Sequence, residues 1–294
     1  MLIPGPASPQ LTQRLAKACN YAMARVSYKI FPDGESYIRV ESNLKGETAI
    51  VVQSCPPPQD KRVIELLQLI DASLRAGATK VFAIVPYFAY SRQDRVFLDH
   101  EALSSKIIAR IIETVGASLL ITVNIHSDLV LNYFEKIKAL NVDAFPEVAS
   151  YLALYNLRKP LVLSPDKKRY PDAQRVAKLM NGEAAFLEKK RDLLSGEVVT
   201  EEKTLALEGR DVVIIDDIIS TGGTLINAAK IISKGNPNRI IAACIHGLYV
   251  DNALEKLAAV GVKEVISTDT IESSTSKISV AKVIANTLKE LTGG

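Results

Sequence analysis

Short apolar runs alternate along this chain with stretches whose apolar residues recur every three or four positions, and that alternation permits few folds. A brief run of β-branched and aliphatic residues suits a strand buried on both faces, which belongs in a parallel sheet covered by helices. Residues 48–53 (TAIVVQ) read as such a strand. A helix over about 60–76 follows, with Val63, Leu66, Leu67, Ile70 and Leu74 on one face and Gly77 to end it. Residues 80–86 (KVFAIVP) form the next strand, then a helix at about 102–115 and a strand at 119–125 (LLITVNI). The second half repeats the plan. Strands are expected at 161–163, 184–187, 212–215, 240–245 and 264–267, with helices between most of them and a final helix near 280–291 that could pack on the first half. The pattern predicts an α/β chain of two domains, residues 1–142 and 143–294, joined somewhere in 140–147.

Composition removes several function classes. The 294 residues carry 36 basic and 33 acidic side chains, a net charge of +3 that gives nucleic acid no electrostatic footprint. No run of eighteen apolar residues occurs, so no membrane span is expected, and residues 1–6 have neither the basic flank nor the apolar stretch of a signal peptide. Cys19, Cys55 and Cys244 are odd in number and far apart, without metal-ligand spacing. That fits a reducing, cytoplasmic setting.

Residues 212–224 (VVIIDDIISTGGT) carry the most chemistry. An apolar strand runs into Asp216 and Asp217, then a turn of small residues, then a helix bearing Leu225, Ile226, Ala228 and Ala229. Gly222 and Gly223 let the backbone approach a phosphate. Ser220, Thr221 and Thr224 add hydroxyl donors, and the helix start adds N–H groups. Neighbours in an extended segment face opposite ways, so the two acids chelate poorly as a pair; as acceptors they suit the vicinal hydroxyls of a ribose. No Gly-Lys-Ser/Thr and no G-x-G-x-x-G opens a helix, which excludes a P-loop and a dinucleotide fingerprint.

This stretch resembles the phosphoribosyl pyrophosphate-binding motif shared by type I phosphoribosyltransferases and ribose-phosphate pyrophosphokinases. Four further segments resemble the pyrophosphokinases alone. Residues 31–40 (FPDGESYIRV) are similar to that family's F-x-D-G-E-x-x-x-R segment, otherwise a Pro-Asp-Gly turn between two strands. The resemblance implies that Phe31, Asp33, Gly34 and Glu35 reach the ATP site of a neighbouring subunit, and hence a homo-oligomer. Residues 86–95 (PYFAYSRQDR) are similar to P-Y-F-x-Y-x-R-Q-D-R, placing Arg92 and Gln93 on ATP. Residues 123–128 (VNIHSD) match a D-x-H segment at the histidine but not at the acid, and 164–166 (SPD) match a metal segment. His126 and Asp166 are thereby the implied residues for Mg²⁺, of which the carboxylate is the better ligand for a hard cation. Residues 187–192 (LEKKRD), followed by the polar stretch 195–203, resemble the K-x-R catalytic loop, with Lys189 and Arg191 as catalytic cations and Arg191 also on ribose 5-phosphate.

The resemblance spans nearly the whole chain in the family order. It implies two tandem type I phosphoribosyltransferase-like domains and transfer of the pyrophosphoryl group of ATP to ribose 5-phosphate, with Mg²⁺, in nucleotide biosynthesis. There are departures. Ser220 stands where many members carry aspartate, Lys167-Lys168 follow Ser-Pro-Asp where small residues are usual, and His100-Glu101-Ala102 replace an Arg-Glu-Pro segment.

Overall fold

A computed structural model describes residues 1–191, 198–201 and 206–292, with the side chains of 188–191, 198–201 and 292 outside that description. The chain divides into two compact units.

The first unit comprises Met1–Asp143 with Asp269–Glu272 and the chain from Ser279 onward. Its elements are β1 (Leu2–Pro4), α1 (Pro9–Cys19), β2 (Val26–Ile30), β3 (Ser36–Val40), β4 (Thr48–Val52), α2 (Gln59–Arg75), β5 (Lys80–Val85), α3 (Ser104–Val115), β6 (Leu119–Val123) and β7 (Lys138–Val142). Five of the strands form a parallel sheet in the order β1-β4-β5-β6-β7. Strands β4 and β6 are buried along almost their whole length, as continuous apolar runs require. Helix α2 buries Val63, Leu66, Leu69 and Ile70, the stripe expected of a helix laid on a sheet. Helix α3 begins at Ser104, two residues later than its periodicity suggests, and ends where Gly116 takes φ 115°. Hairpin β2–β3 stands outside this sheet as an antiparallel pair.

The C-terminal helix Ala281–Thr292 packs against α1 and buries Ile284, Ala285 and Leu288. Two acids anchor the chain leading to it. Glu272 accepts the Leu11 N–H at 2.8 Å, and Asp269 accepts Arg14 Nη1 at 2.6 Å and the Val280 N–H at 2.8 Å.

The second unit holds α4 (Phe145–Leu152), β8 (Leu161–Ser164), α5 (Tyr170–Leu179), β9 (Glu183–Phe186), β10 (Glu188–Arg191), β11 (Val198–Glu201), β12 (Asp211–Ile219), α6 (Gly223–Ser233), β13 (Arg239–Gly247), α7 (Ala253–Ala259), β14 (Val262–Thr268) and β15 (Ser276–Ile278). Its sheet has six parallel strands in the order β15-β14-β13-β12-β8-β9, and β10 and β11 pair separately. The fold class is the expected one, an α/β chain with parallel sheets flanked by helices.

One strand departs from expectation in a way that matters. The run expected to stop at residue 215 continues to Ile219, because β13 pairs with it through Asp216↔Cys244, Ile218↔His246 and Ile219↔Gly247. Both acids therefore lie inside the strand rather than beyond it. Six apolar side chains of β12 are buried, each stabilising by about 1.5–3 kcal/mol. That total exceeds the several kcal/mol a buried carboxylate costs, provided the carboxylate finds partners.

Candidate active site

The acids of β12 do find partners. Asp217, 3% exposed, accepts the Ile218 N–H at Oδ1 (2.9 Å) and an ion pair from Arg169 Nη2 at Oδ2. Asp216 is less enclosed, and its Oδ1 accepts the Asp217 N–H at 2.9 Å. Burial pushes the Asp216 carboxyl well above the usual carboxylate range, and the charges of Asp217 and Asp166 push it the same way. Asp166 lies just past β8, the strand beside β12, where its Oδ1 accepts the Arg169 N–H at 3.2 Å. Three carboxylates thus gather at the carboxyl edge of this sheet, the edge at which open α/β sheets hold ligands.

The turn beyond β12 is shaped for an anion. Gly222, buried at φ 76°, caps α6 in a conformation that costs an L-residue roughly 1–2 kcal/mol. Thr221, Gly223 and Thr224 are exposed and Ser220 partly so. Among the described residues no side chain caps the helix start, which leaves its first N–H groups for a ligand. A Cβ on Gly223 would meet no atom closer than Thr221 Oγ1, at 3.8 Å. The helix is held down by Leu225, Ala228, Ala229 and Ile232, which pack in one core with Leu163 and Ile214.

In the first unit, Arg92 and Gln93 are exposed on a loop that leaves β5. The loop is tied at both ends of this pair. Tyr90, at φ 62°, donates its hydroxyl to Asp60, while the Gln93 carbonyl accepts Ser105 Oγ at 2.7 Å. Asp94 is buried. Its ion pair with Arg95 (3.3 Å) and a hydrogen bond from Ser127 hold its carboxyl below the usual range. His126 lies three residues past β6, in a segment that turns at Asn124 (φ 38°), so the strand ends earlier than its apolar run suggests. Phe31, Asp33, Gly34 and Glu35 occupy the exposed tip of hairpin β2–β3, where Glu35 N–H donates to Asp33 Oδ1 at 3.2 Å. Tyr37 meets Phe31 edge-on at 6.0 Å, and Lys29 Nζ lies 4.7 Å from the Phe31 ring centre.

Lys189 and Arg191 fall on β10, whose backbone pairs with β11, but their side chains are outside the description. Asp192 and positions 195–197 and 202–203 of the polar stretch lie outside the described residues altogether. Among the described residues no group of three His, Cys, Asp or Glu side chains converges as a metal cage.

Comparison with known proteins decides the family. Residues 1–116 match the model of the N-terminal domain of ribose phosphate pyrophosphokinase, and residues 145–283 match the phosphoribosyl transferase domain. The ribose-phosphate pyrophosphokinase of Sulfurisphaera tokodaii is 41% identical over 96% of this chain and 97% of its own, and that of Methanothermobacter thermautotrophicus 40% over 99% and 100%. The crystal structure of phosphoribosylpyrophosphate synthetase from Mycobacterium smegmatis aligns with a TM-score of 0.86 at 30% identity, covering 100% of this chain and 99% of that one. The chain belongs to the ribose-phosphate pyrophosphokinase family. Both of its units are of the phosphoribosyltransferase type.

One residue at the acid cluster, Arg169, carries little signal in the sequence. Arg169 follows Lys167-Lys168, and a basic run after a strand reads as solvated charge. Its one signal is its place three residues after Asp166, the spacing of a side chain capping a helix start.

Proposed function

We propose that this chain transfers the pyrophosphoryl group of ATP to O1 of ribose 5-phosphate, the reaction its family is named for, giving phosphoribosyl pyrophosphate and AMP. The carrying observation is the Asp216–Asp217 pair on β12, which runs into the Gly222–Gly223 turn, in a chain of this family. The 5-phosphate rests on Ser220, Thr221, Gly222, Gly223 and Thr224, with Arg191 as a further cation. The ribose hydroxyls donate to Asp216 and Asp217. ATP is held by Arg92 and Gln93 and by Phe31, Asp33, Gly34 and Glu35 of a neighbouring subunit. O1 forms its bond to the β-phosphorus as the bond from that phosphorus to the α–β bridging oxygen breaks. AMP departs with the electron pair, and the proton of O1 passes to water. Lys189 and Arg191 neutralise the charge that develops on the transferred group.

Mg²⁺ is the cofactor this donor set suits. Oxygen donors are what a hard cation takes, and few protein ligands suffice when substrate phosphates and water complete the shell. Asp166 would supply such an oxygen, and the ion would neutralise charge on the ATP phosphates; His126, the other residue the resemblance implies, belongs to the first unit. A homo-oligomer is supported by Tyr28, Ile30, Phe31 and Tyr37, large apolar side chains exposed on one small hairpin. A cytoplasmic setting is supported by three cysteines without disulfides. No described helix is long and apolar enough to cross a membrane.

The test is purified protein with ribose 5-phosphate, ATP and Mg²⁺, following products by chromatography. Equal appearance of AMP and phosphoribosyl pyrophosphate is expected. Formation of ADP would overturn pyrophosphoryl transfer. Pyrophosphate release from phosphoribosyl pyrophosphate and a nucleobase would mark a transferase instead.

A further inference from the structure

We propose that Arg169 is a positioning residue for ribose 5-phosphate: its guanidinium fixes the Asp217 carboxylate while its backbone N–H holds Asp166. The inference rests on the ribose site proposed above.

The geometry is that of a clamp. Asp217 lies on β12 alongside β13, three residues past the stretch that β8 pairs. One of its oxygens takes the Ile218 N–H at 2.9 Å and the other takes Arg169 Nη2, so neither rotates without losing a charge-assisted bond. A carboxylate has about four lone-pair positions, and bonds at both oxygens fix the plane in which the others point. The guanidinium is itself braced. Arg169 Nη1 donates to Asp172 Oδ2 at 3.4 Å, and Asp172 is engaged at its other oxygen by Arg175 Nη2 at 2.5 Å. Arg175 offsets much of the Asp172 charge, and the Arg169 cation also meets Asp217. Both Arg169 and Asp217 are largely shielded from water, where such a pair is screened little.

The same residue reaches the neighbouring strand through its backbone, where its N–H donates to Asp166 Oδ1 at 3.2 Å. Arg169 therefore ties together carboxylates that follow β8 and interrupt β12. The consequence is specific to the sugar. The Arg169 side chain acts on ribose 5-phosphate through Asp217, and its replacement leaves the backbone bond to Asp166 in place.

Four proteins test it: wild type, Arg169→Gln, Asp217→Asn and the double variant, each assayed for turnover and for ribose 5-phosphate binding by calorimetry. Loss of a charged hydrogen bond predicts that Arg169→Gln raises KM for ribose 5-phosphate about 10- to 100-fold. KM for ATP should stay within about twofold, and Arg169→Lys should recover part of the loss. In the Asp217→Asn background, Arg169→Gln should change sugar binding by less than about twofold, because the partner it orients is gone. Fully additive losses, or an equal rise in the KM for ATP, would overturn the inference while leaving the activity in place. Failure of all four proteins to bind ribose 5-phosphate would overturn the site itself and the inference with it. Should Arg169→Gln fail to fold, Asp172→Asn serves, since loosening the brace predicts a smaller rise in the same KM.

Discussion

The ribose turn and hairpin β2–β3 are both short polar loops bearing acids and a glycine, yet they are built in opposite ways. The turn grows out of a strand with neighbours on both sides, and its buried acid is engaged within its own unit by Ile218 and Arg169. The hairpin stands apart from the sheet, with Ile30 58% exposed and Phe31 and Tyr37 open beside it. A site that must hold a sugar in one orientation is best carried on a rigid element. A surface left apolar and open has its complement elsewhere, and the second copy of this chain proposed above supplies one. If the proposed sites hold, the comparison teaches that this chain finishes its sugar site alone and its nucleotide site only in company.

The widest gap between the two should open with Lys189→Ala, which removes the proposed transition-state cation from the second unit. Turnover should fall about 10³-fold with no change in Tm, and a near-normal kcat would remove Lys189 from the chemistry. The rigidity of β12 is tested at its first residue. Burial alone would raise the Asp211 carboxyl, but the Arg158 N–H (2.7 Å), Asn238 Nδ2 (2.6 Å) and Arg239 (3.1 Å) outweigh it and hold it below the usual range. A lowered folded pKa contributes stability that is complete above the unfolded value, near 4, and is lost as pH falls through the folded one. Denaturant melts should show Asp211→Asn losing about 2–3 kcal/mol at pH 7, with the difference from wild type shrinking below pH 4. A pH-independent difference would mean the charge is immaterial.

Phe31→Ala addresses the hairpin. Loss of an aromatic contact predicts a KM for ATP raised up to about tenfold, an unchanged Tm for the chain, and specific activity that declines on dilution. Activity per chain independent of concentration would place the nucleotide site within one subunit. The smallest effects separate adjacent glycines. Gly222→Ala forces a left-handed residue and should lower stability by about 1 kcal/mol, whereas Gly223→Ala should spare stability and weaken ribose 5-phosphate binding. Equal effects on both properties would mean that the turn is not divided into a structural and a binding glycine.

Much of this was legible in the sequence because the signals are local. Runs such as 48–53 and 119–125 read as buried strands and contain β4 and β6, and the strand-turn-helix order of 212–224 was readable without coordinates. What escaped depends on pairing between distant segments. Nothing in 212–219 says that β13 runs alongside far enough to draw both acids into the sheet. Arg169 was hidden in a basic run because its partner is 48 residues away. Short edge elements such as β1 and β15 carry too few residues for periodicity to register.

The return of the C-terminal helix to α1 has a consequence for synthesis. Residues 269–272 and those from 279 onward belong to the first unit, so its first 143 residues leave the ribosome unfinished. Residues 144–268 must be translated first, on the order of 10 s at common elongation rates. During that interval the α1 surface that Ile284 and Leu288 will cover stays open. The second unit, apart from its short edge strand β15, can fold before the first is sealed, and a nascent chain stalled short of its last helix would expose a sticky face to chaperones and proteases.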